Sequence, residues 1–284
     1  MFSFLKEIAQ KSEKAQGKVI ALMNQKGGVG KTTMAFNLAH AFAHDGKKVL
    51  CLDMDPQGNF SSLFGIEKPT FHIHHLLINS IKELKALHTG VMIEDVIQKT
   101  SSEFQIDILP SGQELSGFEL TVAGINAPRQ LILKKFIEKY DLRNRYDIII
   151  IDGPPTLGLL VVNILCATDG VLYPFVPDRF SEQGLKNIQQ VVADIAEMEI
   201  TSVPKNLGYI PNLFDTRRKQ ANEDLASIKS QLDSAVMYDP FTNKVQFGKS
   251  LAQRKSVFDF KTGEFKELQK QFSQMSQDVQ KELL

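Results

Sequence analysis

The sequence predicts an α/β fold, a mostly parallel sheet with helices on both faces. Three observations carry that prediction. At least six short apolar, strand-like runs are separated mainly by segments with helical spacing. One of them, Ile148-Ile149-Ile150-Ile151, is an unbroken β-branched run, as expected of a strand buried on both sides. A strand, a glycine-rich loop and a helix also follow one another directly over residues 19–43.

The totals bound the problem without solving it. The 284 residues suit one large domain, or one domain with appendages. A composition of 43% hydrophobic and 23% charged residues is that of a globular chain. Lys plus Arg equals Asp plus Glu at 33 each, so net charge gives no argument for a polyanionic partner, yet a local basic face stays open. The two cysteines, Cys51 and Cys166, lie in apolar strand-like stretches and read as buried thiols in a reducing compartment. No apolar run approaches a membrane span, and the opening MFSFLKEIAQKSEKAQGK lacks a signal-peptide core. The cytoplasm is the expected location, and no stable membrane anchor is expected.

Residues 2–16 are spaced for a short helix, with Phe2, Leu5, Ile8 and Ala9 on one side and Lys6, Lys11 and Lys14 among the rest. Two readings stand: a helix docked on the domain, or a basic arm that meets a partner. Val19 to Met23 then forms the first buried strand and runs into Lys26-Gly27-Gly28-Val29-Gly30-Lys31-Thr32-Thr33. Glycines there let backbone N–H groups turn inward around phosphate oxygens, and the helix that follows adds its positive end. Lys31 is placed to reach the outer phosphates and the Thr32 hydroxyl to ligate Mg2+. The fold class is thereby narrowed to the P-loop NTPase type. Where the usual loop begins with glycine, this one has Lys26, a second lysine that local packing does not explain.

Val49 to Leu52 is the next strand, and it ends in Asp53-Met54-Asp55-Pro56-Gln57-Gly58-Asn59. Acidic residues at that end sit where open α/β sheets place ligands. Asp53 is a candidate for the Mg2+ shell and Asp55 for positioning the attacking water. Phe60 to Gly65 reads as a short helix. Ile73, Leu76, Leu77, Ile81, Leu84 and Leu87 are spaced for a longer, inserted or extended one, and Met92 to Gln98 for another turn or two. His72, His74 and His75 cluster here, but their spacing and company suggest structural or surface histidines rather than a metal site.

Phe104 to Leu109 alternates as a strand, and Leu131 to Tyr140 is helix-spaced. Tyr146 to Asp152 is the most apolar strand, ending in Asp152-Gly153-Pro154-Pro155. Asp152 is the expected Mg2+ partner of Thr32, while Asp147 falls at the far end. Thr156 to Ala167 reads as helix, Gly170 to Pro174 as strand, Pro177 to Glu182 as loop, and Gly184 to Met198 as an amphipathic helix. The strand Leu207 to Asn212 ends in Pro211-Asn212, with the Asn212 amide placed to read a base edge. Lys219 to Leu232 reads as helix. Phe265, Leu268, Phe272, Met275, Val279 and Leu283 mark a closing helix, packed on the sheet or on a neighbouring subunit. The division is an arm over 1–16, a main domain over 17–260 and a C-terminal helix over 261–284. Two local basic stretches stand out, around Arg217-Arg218-Lys219 and from Asn243 to Lys255. No base-reading motif accompanies them, so contact with a phosphate backbone is the fitting expectation.

Three motifs, KGGVGKTT from Lys26, DMDPQGN from Asp53 and YDIIIIDGPP from Tyr146, resemble the ParA-type partition ATPases, relatives of the MinD-type positioning ATPases with a deviant phosphate loop. The likeness covers roughly residues 17–260, and the Pro-Gln-Gly-Asn ending favours the partition branch. The resemblance implies ATP and Mg2+ as cofactors. Gly27, Gly28, Val29, Gly30, Lys31, Thr32 and Thr33 would cradle the phosphates. Lys26 would cross the interface of an ATP-bound sandwich homodimer. Thr32, Asp53 and Asp152 would hold or support the metal, Asp55 would serve hydrolysis, and Pro211, Asn212 and the loop before Asn243 would border adenine.

The same resemblance implies nonspecific DNA binding through Arg217, Arg218, Lys244, Lys249, Arg254 and Lys255, and nucleoid association. A ParB-like centromere-binding partner would stimulate hydrolysis, and in the family the N-terminal arm often contacts it. The long N-terminal winged helix-turn-helix of larger plasmid-encoded members has no counterpart here, so operator binding is not expected. The alternative is a positioning ATPase acting on a membrane or a protein cargo. Glu264, Glu267, Asp278 and Glu282 make the last helix a poor membrane binder. A nitrogenase-type reductase would need paired cluster cysteines, and a biosynthetic ligase is disfavoured by the Pro-Gln-Gly-Asn ending.

Overall fold

The strands of the chain find one another in a crossed order that leaves the carboxyl ends of all but one of them on one edge. The computed structural model describes residues 16–100, 103–178, 181–232, 237–242 and 244–283. Of the arm expected over 1–16, only Gln16 is among them, and Lys6, Lys11 and Lys14 lie outside the described residues. The strands are β1 (Lys18–Leu22), β2 (Val49–Asp53), β3 (Gln98–Lys99), β4 (Ile106–Leu109), β5 (Ile148–Asp152), β6 (Gly170–Phe175) and β7 (Lys205–Pro211). They form one sheet in the order β3-β4-β2-β5-β1-β6-β7. Every pairing is parallel except β3 with β4, which is antiparallel. The α/β fold is therefore a P-loop-type, mostly parallel sheet, as the apolar runs require.

Both faces are covered, which is why the central strands show no polar alternation. Val19, Ala21, Leu50, Leu52, Ile149 and Ile151 point into one core. There they meet helices α2 (Ile73–Ser80), α3 (Ile132–Lys139), α4 (Leu159–Ala167) and α5 (Ser181–Met198). Ile20, Leu22, Cys51, Ile148 and Ile150 point into the other. That side is closed by α1 (Lys31–His44), by Phe247 of α7 (Val245–Ala252), and by α8 (Lys266–Leu283). Helix α6 (Lys219–Gln231) precedes these two, and Ile228 is its buried residue. Phe272, Met275 and Val279 of α8 are buried, and the Ser276 hydroxyl donates to Asp45 at the end of α1 at 2.9 Å. In this chain α8 packs on α1 of the same sheet's flank.

Several local readings change. The long helix expected from Ile73 to Leu87 stops at Ser80, because Ile81 is extended (φ −96°, ψ 107°) and a 3-10 turn, Lys82–Leu87, follows. Only Ile93–Val96 is helical in the next stretch, after which β3 forms the antiparallel edge. Two paired residues are too short to leave a period in the sequence. Cys166 lies in α4 rather than in a strand, and both thiols are free and buried. The loop expected over Pro177 to Glu182 is cut short, because α5 already begins at Ser181, whose N–H and hydroxyl both donate to Asp178 Oδ1 at 3.0 Å. Among the described residues, no helix is long and apolar enough to cross a membrane.

Candidate nucleotide site and basic face

The strand order sets β1 between β5 and β6, so the loop after β1 opens beside the ends of β2 and β5. Asp53 and Asp152 are register partners across β2 and β5, and Leu22 pairs with Asp152 across β1 and β5. Such a switch in strand order at the carboxyl edge is where this architecture makes its crevice. The Asn24 amide donates to Pro174 O at 2.8 Å and its carbonyl accepts Lys26 N–H at 2.9 Å, fixing the entrance of the loop. Gly28 and Gly30 then take positive φ, 74° and 91°. A Cβ on Gly30 would lie 2.2 Å from Asn212 Nδ2. That same amide donates to Val29 O at 2.9 Å, so β7 props the loop from behind.

A cleft of about 600 Å³ results. Of the candidates read from the sequence, Gly27, Gly28, Gly30, Lys31, Thr32, Thr33, Asp55 and Asn212 line it. Val29, Pro211, Asp53 and Asp152 stand behind the wall, and all four are buried. The Asn212 amide, expected to read a base edge, gives one proton to the loop while the residue still faces the cleft. Gln57, Asn59, Ser62, Leu63, Pro155, Leu213, Phe247 and Leu251 complete the lining; Gln57, Asn59 and Pro155 lie in the quoted motifs without a site role assigned to them, and the others were not singled out from the sequence. Phe247 and Leu251 offer apolar surface opposite the loop. Their only signal was helical spacing in a stretch read for its charges.

The polar chemistry is concentrated behind the loop. Lys31 is 7% exposed, and its ammonium donates to Lys26 O at 3.1 Å. Burial lowers its pKa, opposed by the charges of Asp152 and Asp55. The Thr32 hydroxyl donates to Asp152 Oδ2 at 2.6 Å, while Asp152 Oδ1 is buried without a partner among the described residues. Burial and the neighbouring Asp53 charge push Asp152 up to about 8, against the Thr32 hydrogen bond and Lys31. A hydroxyl and a carboxylate with one buried, unused oxygen are a donor set fitted to a hard divalent cation. Asp53 is tied differently. It accepts Ser61 N–H at 2.7 Å, Ser61 O–H at 2.6 Å and Asp55 N–H at 3.2 Å. Burial holds its carboxyl up at about 6. Ser61 also accepts Ser111 N–H, and Ser111 donates to Asp55 O at 2.6 Å. Ser111 thus holds the Asp55 backbone directly and Ser61 supports it through Asp53 and Ser111, while the Asp55 carboxylate accepts Gln57 N–H at 3.0 Å at the cleft wall.

Lys26 is not in the cleft lining. Its ammonium pairs with Asp178, at the start of α5, and its side chain is 36% exposed. The two basic stretches are brought together by short parallel bridges, Tyr209 with Met237 and Phe214 with Thr242. Arg217 and Arg218 precede α6, Lys244 and Lys249 belong to the start and the body of α7, and Arg254 and Lys255 follow it. Four of these six meet carboxylates: Arg217 with Asp215, Lys244 with Glu267, Lys249 with Glu264 and Arg254 with Glu67. The histidines of the inserted segment pack on one another, with His72 Nε2 3.0 Å from Glu114 Oε2. Among the described residues, no group of three or more His, Cys, Asp or Glu is arranged to hold a metal ion.

Residues 17–204 match the family described as an AAA domain. The chain is 30% identical over 243 residues to the sporulation initiation inhibitor protein Soj of Bacillus subtilis, covering 85% of this chain and 90% of that one. It is 32% identical over 222 residues to the chromosome partitioning protein ParA of Myxococcus xanthus, covering 78% and 73%. Among solved structures, a Cyanothece McdA–ATP complex superposes with a TM-score of 0.78 over 94% of this chain and 97% of that chain, at 22% identity. The fold and the phosphate loop define a P-loop ATPase. Within that class the chain belongs to the ParA-type ATPases.

Proposed function

We propose that the chain is a DNA segregation ATPase whose ATP-bound form is a sandwich dimer. The observation that carries this reading is the division of labour between two lysines of one loop. Lys31 is buried inside the cradle, whereas Lys26 stands outside the cleft lining, on a part-buried ion pair with Asp178. By exchanging Asp178 for a phosphate, a lysine in that position would serve a triphosphate held by a second copy.

ATP and Mg2+ are the cofactors of the site. Backbone N–H groups of residues 27–33 hold the phosphates, and Lys31 neutralises the outer ones. Thr32 and Asp152 would hold the cation, with Asp53 keeping the Asp55 loop in place. When bound, Mg2+ offsets phosphate charge and aligns the phosphate oxygens. Asp55 orients the attacking water at the cleft wall, and Lys26 of the second copy adds positive charge as the leaving group separates. Leu213, Phe247 and Leu251 cover the base.

Dimerisation then joins two basic faces built from residues 217–218 and 244–255. A chain of zero net charge thereby gains a surface for a polyanion in one nucleotide state only. Hydrolysis, stimulated by a ParB-like partner, releases the nucleoid. Co-sedimentation with mixed-sequence duplex DNA tests the reading. Binding is expected with ATP and Mg2+, falling steeply as salt rises, and not with ADP or without nucleotide. Equal binding in all three conditions would overturn it.

A further inference from the structure

The basic face is already occupied by carboxylates of its own chain. Lys244 Nζ lies 2.5 Å from Glu267 Oε2, and Lys249 Nζ 3.2 Å from Glu264 Oε2. Both glutamates sit where a 3-10 turn, Gly263–Phe265, leads into α8. They are set on a firm base, because the residues that follow them, Phe265 and Leu268, are 1% and 0% exposed. The lysines stand on α7, a helix of eight residues with only Phe247 and Ser250 buried. Phe247 reaches the Phe241 and Phe272 rings at 6.3 and 6.2 Å and, with Leu251, also lines the nucleotide cleft. One short helix therefore meets the cleft with its apolar side chains and the start of α8 with its lysines.

We infer that Glu264 and Glu267 form an acidic clasp that withholds Lys249 and Lys244 from DNA until the cleft is filled. The inference rests on the DNA-binding reading above and deepens it by naming what masks the face. Ion pairs this exposed are weak, so small shifts of α7 exchange them for phosphate contacts. A nucleotide base against Phe247 and Leu251 supplies such a shift. By linkage, DNA on the released lysines must in turn tighten nucleotide binding.

The test uses the full chain with both glutamates neutralised, Glu264→Gln and Glu267→Gln, and a fluorescent mixed-sequence duplex. A control pair, Asp278→Asn and Glu282→Gln, changes the net charge equally but lies about 15 Å or more further along the same helix at a rise of about 1.5 Å per residue. Without nucleotide, the clasp variant should bind DNA about tenfold more tightly than the unsubstituted chain. The slope of log affinity against log salt should steepen by about two, one for each released lysine. The control should not move, and with ATP the clasp variant and the unsubstituted chain should agree within about twofold, since the clasp is then open. An unchanged clasp variant, or an equal gain in the control, overturns the clasp. If the unsubstituted chain binds DNA with ATP while the clasp variant gains nothing, only the clasp falls. If neither binds DNA in any nucleotide state, the DNA reading falls with it.

Discussion

Asp55 is held from two sides, by Ser111 at its carbonyl and by Gln57 at its carboxylate, and it faces the cleft. A carboxylate fixed in this way can orient a water without moving. Replacing it by alanine should leave nucleotide binding intact and lower the hydrolysis rate by about 100-fold or more. A rate unchanged in a phosphate-release assay would remove Asp55 from the chemistry. His74 makes a different kind of statement. Burial, reinforced by His72 and His75 and opposed by Glu114, lowers its pKa from 6.5 to about 4. The unfolded chain then takes up a proton near 6.5 that the folded chain refuses until about 4. Stability from this group is present above 6.5 and is lost as the pH falls through that window. Urea midpoints measured at pH 7 and pH 5 should therefore drop less for His74→Gln than for the unsubstituted chain. An equal drop would mean that another group carries the acid sensitivity.

The phosphate loop is the element on which the site is built, and its shape depends on contacts far away in sequence. Gly30 sits at φ 91° with Asn212 filling the space a Cβ would need. Gly30→Ala meets both a left-handed backbone penalty of about 1–2 kcal/mol and that collision. ATP affinity should fall by about tenfold or more, as read by fluorescent nucleotide titration, with the melting temperature little changed if the loop alone distorts. Affinity equal to the unsubstituted chain would show that the prop from β7 is dispensable.

The loop and its flanking strand and helix were legible in the chain because their signals are local: an apolar run, glycines at fixed spacing, a helix-spaced segment. The carboxylates at the ends of β2 and β5 were legible for the same reason. The prop from Asn212, the serines behind Asp55 and the cover from Phe247 were not, because each joins residues that only the strand order brings together. The same holds for the edge strand β3, whose two residues leave no period, and for the break at Ile81, where helical spacing continues although the backbone turns extended. Lys244 and Lys249 were legible as local charge, but not their pairing, because the fold sets them against Glu267 and Glu264, which lie well beyond them in the chain.

At the scale of the molecule, helices cover both faces of a mostly parallel sheet, and the candidate nucleotide cleft lies at its carboxyl edge. Lys26 belongs to that edge but is outside the lining of its own cleft, and in the proposed dimer its pairing with Asp178 would have to break. Association through this edge would convert two locally basic surfaces into one. The most direct test is the mass in solution of Asp55→Ala chains with ATP and Mg2+, measured by sedimentation equilibrium with and without Lys26→Gln. The account predicts a species of about twice the 31.9 kDa chain mass for Asp55→Ala, and a monomer that still binds ATP when Lys26 is also replaced. A dimer that survives the loss of Lys26, or an Asp55→Ala chain that stays monomeric with saturating ATP, would contradict it.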